Sequence, residues 1–161
     1  MQWSSGAERS SWRWPAAAAA LVTVAAHVPI TRTHLHEAPY VGWSFVALEV
    51  VLTLVAIGLV TSDRPLVWWV AGVVPALAML AYAVTRSVAL PQIGDDVGNW
   101  AEPLGLVALT AEALLIIITL GHRAHRHPAP WFANRPVLWA GLLLAAGLIA
   151  TDYAVAVGGT G

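Results

Sequence analysis

The residues of this 161-residue chain that are equipped for chemistry are six histidines and nine carboxylates, because it contains no cysteine. Disulfides, thiolate metal sites, iron–sulfur clusters and cysteine nucleophiles are thereby excluded. Four of these groups, His27, Glu49, Glu112 and Asp152, each interrupt an otherwise apolar run. An ionisable group at bilayer depth costs on the order of 3 kcal/mol or more, so it is normally paired and turned toward a protein interior. Four such groups on separate runs predict one shared polar pocket. A structural role is the competing reading, with neutral carboxyls hydrogen-bonded to Thr, Tyr or backbone and fixing helix packing.

Histidine and carboxylate also cluster in the segment from Thr31 to Tyr40, which holds His34, His36 and Glu37. Imidazole with carboxylate suits Zn, Cu(II), Fe or Mn. With His27 these residues form a candidate transition-metal set: His27, His34, His36 and Glu37. His34 and His36 share a face only in an extended segment, whereas His27 and His34 share one only if a helix continues past Pro29. Asp95 and Asp96 are further candidate oxygen ligands, and a solvated loop at headgroup level is the alternative. Haem is a less favoured cofactor, since a second axial ligand would require His34 or His36 to fold back toward His27.

A second cluster, His122, His125 and His127 with Arg123 and Arg126, reads as a basic helix end that complements the helix dipole and meets anionic lipid. Chelation by His122 and His125 is the alternative. The chain has no nucleophile elbow, P-loop, dinucleotide fingerprint or HExxH motif, so classical enzyme chemistry has no support. A formal charge of −1 gives no case for nucleic-acid binding.

The elements that must position these groups are membrane spans. The chain is 58% hydrophobic and 11% charged, against roughly 25% charged in a soluble domain. Its apolar runs of about 20 residues match the hydrocarbon core of a bilayer. The expected fold class is all-α: a polytopic bundle of five transmembrane helices, at about 15–30, 40–61, 66–90, 101–121 and 136–157. Residues 1–14 form a cytoplasmic tail and 158–161 an outer one. The first span is short, with Pro29 bending its exit; a signal peptide is its competing reading.

All eight basic residues are Arg. An N-terminus inside places Arg9, Arg13, Arg64, Arg123, Arg126 and Arg135 on the cytoplasmic side and only Arg32 and Arg86 outside, in keeping with the positive-inside rule. The absence of lysine, with much Ala, Val, Leu and Trp, fits a GC-rich bacterial genome and hence a bacterial cytoplasmic membrane. Trp14, Trp43, Trp68, Trp69, Trp100, Trp131 and Trp139 fall near span ends, as interfacial belts do.

Helical spacing sets the inward rows. Glu102, Gly105, Leu109, Glu112, Ile116 and Thr119 share one face of the fourth span, and Pro75, Met79, Tyr82 and Arg86 share one of the third. Gly42, Phe45, Glu49 and Thr53 align on the second, and Gly141, Ala145, Leu148 and Asp152 on the fifth. At 1.5 Å per residue Glu49 lies roughly 12–14 Å below the outer face, Glu112 about 16 Å and Asp152 about 7 Å. The expected pocket therefore comprises His27, Glu49, Tyr82, Arg86, Glu102, Glu112 and Asp152. It opens outward beneath the first and third outer connections, with Arg86 as the partner of Asp152 or Glu49.

Finally, His27, His34-x-x-Glu37-Ala-Pro-Tyr40-x-Gly42, Arg86-x-Val-x-Leu90-Pro91 and Trp100-x-Glu102-Pro103-Leu104-Gly105 resemble a group of small bacterial integral membrane proteins over most of residues 16–121. That resemblance implies no established activity, but it implies that His27, His34, Glu37, Arg86 and Glu102 belong together. Three functions are expected as alternatives. The first is an accessory or binding protein with an outward His/carboxylate site, for a transition metal such as copper. The second is a proton-linked transporter or permeation subunit using Glu49, Glu112 and Asp152. The third is a structural or assembly subunit of a larger membrane complex. The expected partners are the lipid bilayer and either further copies of the chain or that complex.

Overall fold

Proline sets where most of the helices begin. A computed structural model describes residues 10–124 and 135–158, with backbone alone for 152, 153 and 155–158. Its helices are α1 (Arg13–Glu37), α2 (Pro39–Thr61), α3 (Pro65–Ser87), α4 (Pro103–Ala124) and α5 (Arg135–Gly158), with a 3₁₀ turn at Gly94–Asp96. Pro39, Pro65 and Pro103 each open a helix, where the missing N–H has no intrahelical partner to lose. Each also disfavours helical geometry in the residue before it, and Ala38 and Arg64 accordingly leave the helical region. Four of the helices, α1 to α4, are long and apolar enough to cross a membrane. Leu54, Leu77, Leu80, Ile117 and Leu143 point outward from them and from α5 as an apolar girdle, the surface a bilayer solvates.

The first helix departs most from expectation. It does not end near Ile30 but runs through Pro29 to Glu37, and α2 follows after Ala38 alone. No loop joins the two. Gly42 explains the tight reversal: a Cβ there would lie 2.6 Å from the backbone of Leu35, so only glycine lets α2 start against the last turns of α1. That contact keeps α1 helical beyond the proline.

α1 is also the central helix, packing on α2, α4 and α5. Its alanines Ala16, Ala17, Ala19 and Ala20 are buried, and such small side chains let several helices approach one backbone. Helices α1, α2, α3 and α4 close a ring in which each contacts the next. α5 lies outside that ring on α1, where Gly141 sits directly over Ala18. Of the expected rows, Gly105, Glu112 and Thr119 on α4, Pro75 and Arg86 on α3, and Gly141 and Ala145 on α5 are buried, whereas on α2 Gly42 is buried and Phe45, Glu49 and Thr53 are half-buried.

The ring is solid only at one end. There Leu52, Val55, Leu59, Trp68, Ala71 and Leu115 pack with the α1 alanines. Trp68 is 2% exposed, so it belongs to this core and not to an interfacial belt; Trp43, Trp69, Trp100 and Trp139 are exposed, Trp14 is half-buried, and Trp131 lies outside the described residues.

Candidate functional site

At the opposite end the four-helix ring holds a cavity of about 430 Å³ lined by α1, α2, α3, α4 and the α3–α4 connection. Residues 88–102 cover it as a roof, with Leu90, Ile93 and Asp96 on its underside. The roof is pinned at several points. Arg86 Nη1 pairs with Asp96 Oδ2 at 2.7 Å, and the Gly98 N–H donates to the Arg86 carbonyl at 2.9 Å. Tyr40 Oη donates to the Pro91 carbonyl at 2.7 Å and Tyr82 Oη to that of Trp100 at 3.1 Å. Gly98, with φ of 83°, supplies the left-handed turn that an L side chain resists.

With the top covered, the cavity opens sideways. Its walls include residues that also face outward, Tyr40 and Ser44 on α2 and Leu77, 60% exposed, and Val84, 41% exposed, on α3. The mouth thus lies between the roofed halves of α2 and α3. At the other end of this helix pair Gly58 sits against Val67, so the two helices close there and part toward the roof.

Most of the wall is apolar, and its polar groups are few. His27 and His34 sit seven apart on α1 and both line the cavity. Each Nδ1 lies 2.9 Å from the carbonyl four residues earlier, that of Thr23 and of Ile30. A carbonyl only accepts, so each Nδ1 carries the hydrogen, and in the neutral tautomer this leaves Nε2 as an acceptor. Phe45 packs against both rings, at 5.1 Å between centroids in each case. Glu102 caps α4, accepting from the Leu104 N–H at 3.0 Å and from the Gly105 N–H, where a carboxylate also favours the helix dipole.

Glu112 is different. It is 2% exposed, lines the cavity, and its Oε1 has no hydrogen-bond partner. An unsatisfied buried acceptor costs about 1–3 kcal/mol, so the fold tolerates a defect at this position.

Of the seven residues expected to converge, His27, Tyr82, Arg86, Glu102 and Glu112 do line this cavity. Glu49 does not: its Oε1 accepts from Thr31 Oγ1 at 2.5 Å in the α1–α2 seam. Arg86 pairs with Asp96, while Glu49 is engaged with Thr31. The Asp152 side chain lies outside the described residues, and its helix α5 contributes no described residue to the lining. The roof is the α3–α4 connection alone, since α1 and α2 are joined by Ala38 without a loop.

The proposed metal set is likewise separated. Because the segment is helical, His27 and His34 share a face, while His36 and Glu37 are exposed at the helix end. Among the described residues no three His, Asp or Glu side chains are grouped to hold a metal ion. Asp96, considered above as an oxygen ligand, is the counter-ion of Arg86.

Sequence reasoning missed Thr31, the partner of Glu49, and the roof anchors Tyr40 and Asp96. The signal for Asp96 was available: it follows Arg86 by ten residues across a turn-rich stretch with Pro91, Gly94 and Gly98, which returns the chain to its start. Thr31 carried none, because which face of α1 meets α2 is set by how the two helices pack and not by spacing within either one.

The second histidine cluster ties the solid end together. Trp68 Nε1 donates to Asp63 Oδ1 at 2.9 Å, and its ring stacks on His122 at 3.7 Å. Ser10 N donates to Asp63 Oδ2, and Ser10 Oγ lies 3.1 Å from His122 Nδ1. Partial burial pushes the Asp63 carboxyl up, but these two N–H donors, with His122 and Arg13 nearby, more than offset it and hold Asp63 below the usual carboxylate range. His122 is thus engaged in packing; His125 and His127 lie outside the described residues.

No family model, curated protein or solved structure matches this chain, so the arrangement of these residues carries the functional argument.

Proposed function

We propose that this chain is an integral membrane binding protein that takes a small, largely apolar molecule from the bilayer into the roofed cavity. The observation that carries this reading is a cavity of about 430 Å³ lined by Leu90, Ile93 and Asp96 of the roof and by outward-facing residues of α2 and α3, among them Tyr40, Leu77 and Val84. Volumes of roughly 300–1,000 Å³, mostly apolar walls and a few placed polar groups are the usual properties of small-molecule sites. A mouth on the lipid-facing side of the bundle admits molecules already dissolved in the membrane. In this reading the chain crosses the membrane five times with its arginine-rich N-terminal side in the cytoplasm, and the cavity opens toward the outer leaflet.

Copper binding is not carried into this proposal, because two of its four expected ligands stand on the exposed end of α1. Proton-linked transport is not carried either, because Glu49 is bonded within the α1–α2 seam.

Lipid nanodiscs holding the protein are titrated with 1-naphthalenemethanol, a neutral fluorescent probe, with empty nanodiscs subtracted. Saturable binding that Ala78→Trp weakens about tenfold or more, by filling the cavity, supports the proposal. Binding that never saturates above the empty-nanodisc signal, or that Ala78→Trp leaves unchanged, overturns it.

A further inference from the structure

We infer that the ligand of this cavity carries an ammonium group, held by Glu112, on an apolar alkyl or aryl body that lies toward the α2–α3 mouth. The inference rests on the binding reading above and adds to it the chemistry of the ligand's polar end.

The argument is one of elimination among the charged groups that face the cavity. Arg86 is neutralised by Asp96. Glu102 is spent on the first-turn N–H groups of α4. His27 and His34 each give Nδ1–H to their own helix and retain only an acceptor edge. Glu112 lies ten residues, close to three turns, beyond Glu102 along α4 and away from the roof. Among the described residues it is the carboxyl whose buried oxygen has no hydrogen-bond partner. Arg86 Nε, beside the roof, is a buried donor without a hydrogen-bond partner; deeper in the cavity the free atoms are Glu112 Oε1 and the Nε2 edges of the histidines, which accept, so the inner end of the complementary ligand is a donor. Of the donors, an ammonium supplies both several N–H bonds and the charge that a buried carboxylate lacks.

The shape agrees with this. Ala108, Leu109 and Gly105 flank Glu112 on the α4 wall, and Leu77 and Val84 stand at the mouth. A molecule with its charge at Glu112 places its apolar body among these side chains, as a lipophilic amine requires. An anionic headgroup would instead meet Glu112 and Glu102 with like charge.

The test compares two probes with one body, 1-naphthylmethylammonium and 1-naphthalenemethanol, by equilibrium dialysis against nanodiscs holding the full chain at neutral pH. The wild type is expected to bind the ammonium about tenfold or more tightly than the alcohol, corresponding to about 1.4 kcal/mol. In Glu112→Gln the ratio should fall to near one with alcohol binding retained. Saturable alcohol binding without preference for the ammonium in the wild type overturns this inference and leaves the binding reading standing. A preference that survives Glu112→Gln also overturns it. Failure of both probes to saturate overturns both readings. The wild-type ratio decides the matter even if the variant does not fold.

Discussion

Replacing Gly141 by alanine tests how α5 is attached. A Cβ at this position would lie 2.6 Å from Ala18 Cβ and 2.9 Å from Ala18 Cα. Ordinary contact begins at 3.4 Å, so α5 must retreat from α1 by about 0.8 Å, and the obstacle is helix backbone and a methyl that cannot rotate away. Overpacking of this kind costs about 1–3 kcal/mol, and alanine returns about 0.5–1 kcal/mol in helix propensity over glycine. The net expectation is a loss of about 0.5–2 kcal/mol for Gly141→Ala. Gly147 is the internal control, since nothing lies within 4 Å of a Cβ there; Gly147→Ala should be neutral or stabilising by up to about 1 kcal/mol. Reversible unfolding by SDS in mixed micelles, followed by circular dichroism, measures both. Equal stability of the two variants would refute the docking of α5 through Gly141. Because no described α5 residue lines the cavity, naphthyl-probe binding to Gly141→Ala should match that of the wild type.

Other sites make separate predictions. Thr31→Val removes the hydroxyl that donates to Glu49 and should destabilise the α1–α2 pair by about 1 kcal/mol in the same assay, without altering probe binding. Tyr40→Phe frees the Pro91 carbonyl; global stability should fall by no more than about 1 kcal/mol, while amide exchange measured by mass spectrometry rises within residues 88–102. The Asp63 carboxyl is held below its ordinary range in the folded protein, so its contribution to stability is complete above the unfolded-state value and is lost as pH falls through the folded one. The wild type should therefore lose stability below about pH 4 more steeply than Asp63→Asn, as thermal unfolding across an acid pH series will read.

Much of the architecture was legible because it follows from local patterns. The apolar runs marked the helices, with expected starts at 40, 66 and 101 falling within one or two residues of Pro39, Pro65 and Pro103, and spacings of three and four put Glu112, Arg86 and Gly141 on inward faces. The first helix was misread at its exit because Pro29 was weighed as a terminator. Its local penalty is real, yet packing of Leu35 against Gly42 outweighs it, and that contact lies between two helices. The same error produced a loop where His36 and Glu37 actually end a helix, and so gathered a metal set that helical geometry separates.

What the sequence by itself determined is where the apolar helices lie and which residues share a face within each, because rise and rotation along a helix are fixed by backbone geometry. Five of the seven expected pocket residues were recoverable on that basis. What only the tertiary structure decided is who pairs with whom: Glu49 with Thr31, Arg86 with Asp96, and Glu112 with no hydrogen-bond partner for its buried oxygen. Periodicity says nothing of how far one helix is turned or slid against another. Electrostatic and hydrogen-bond partnerships change within a few ångströms. Those few ångströms are set here by Gly42, Gly141 and the folded path of residues 88–102.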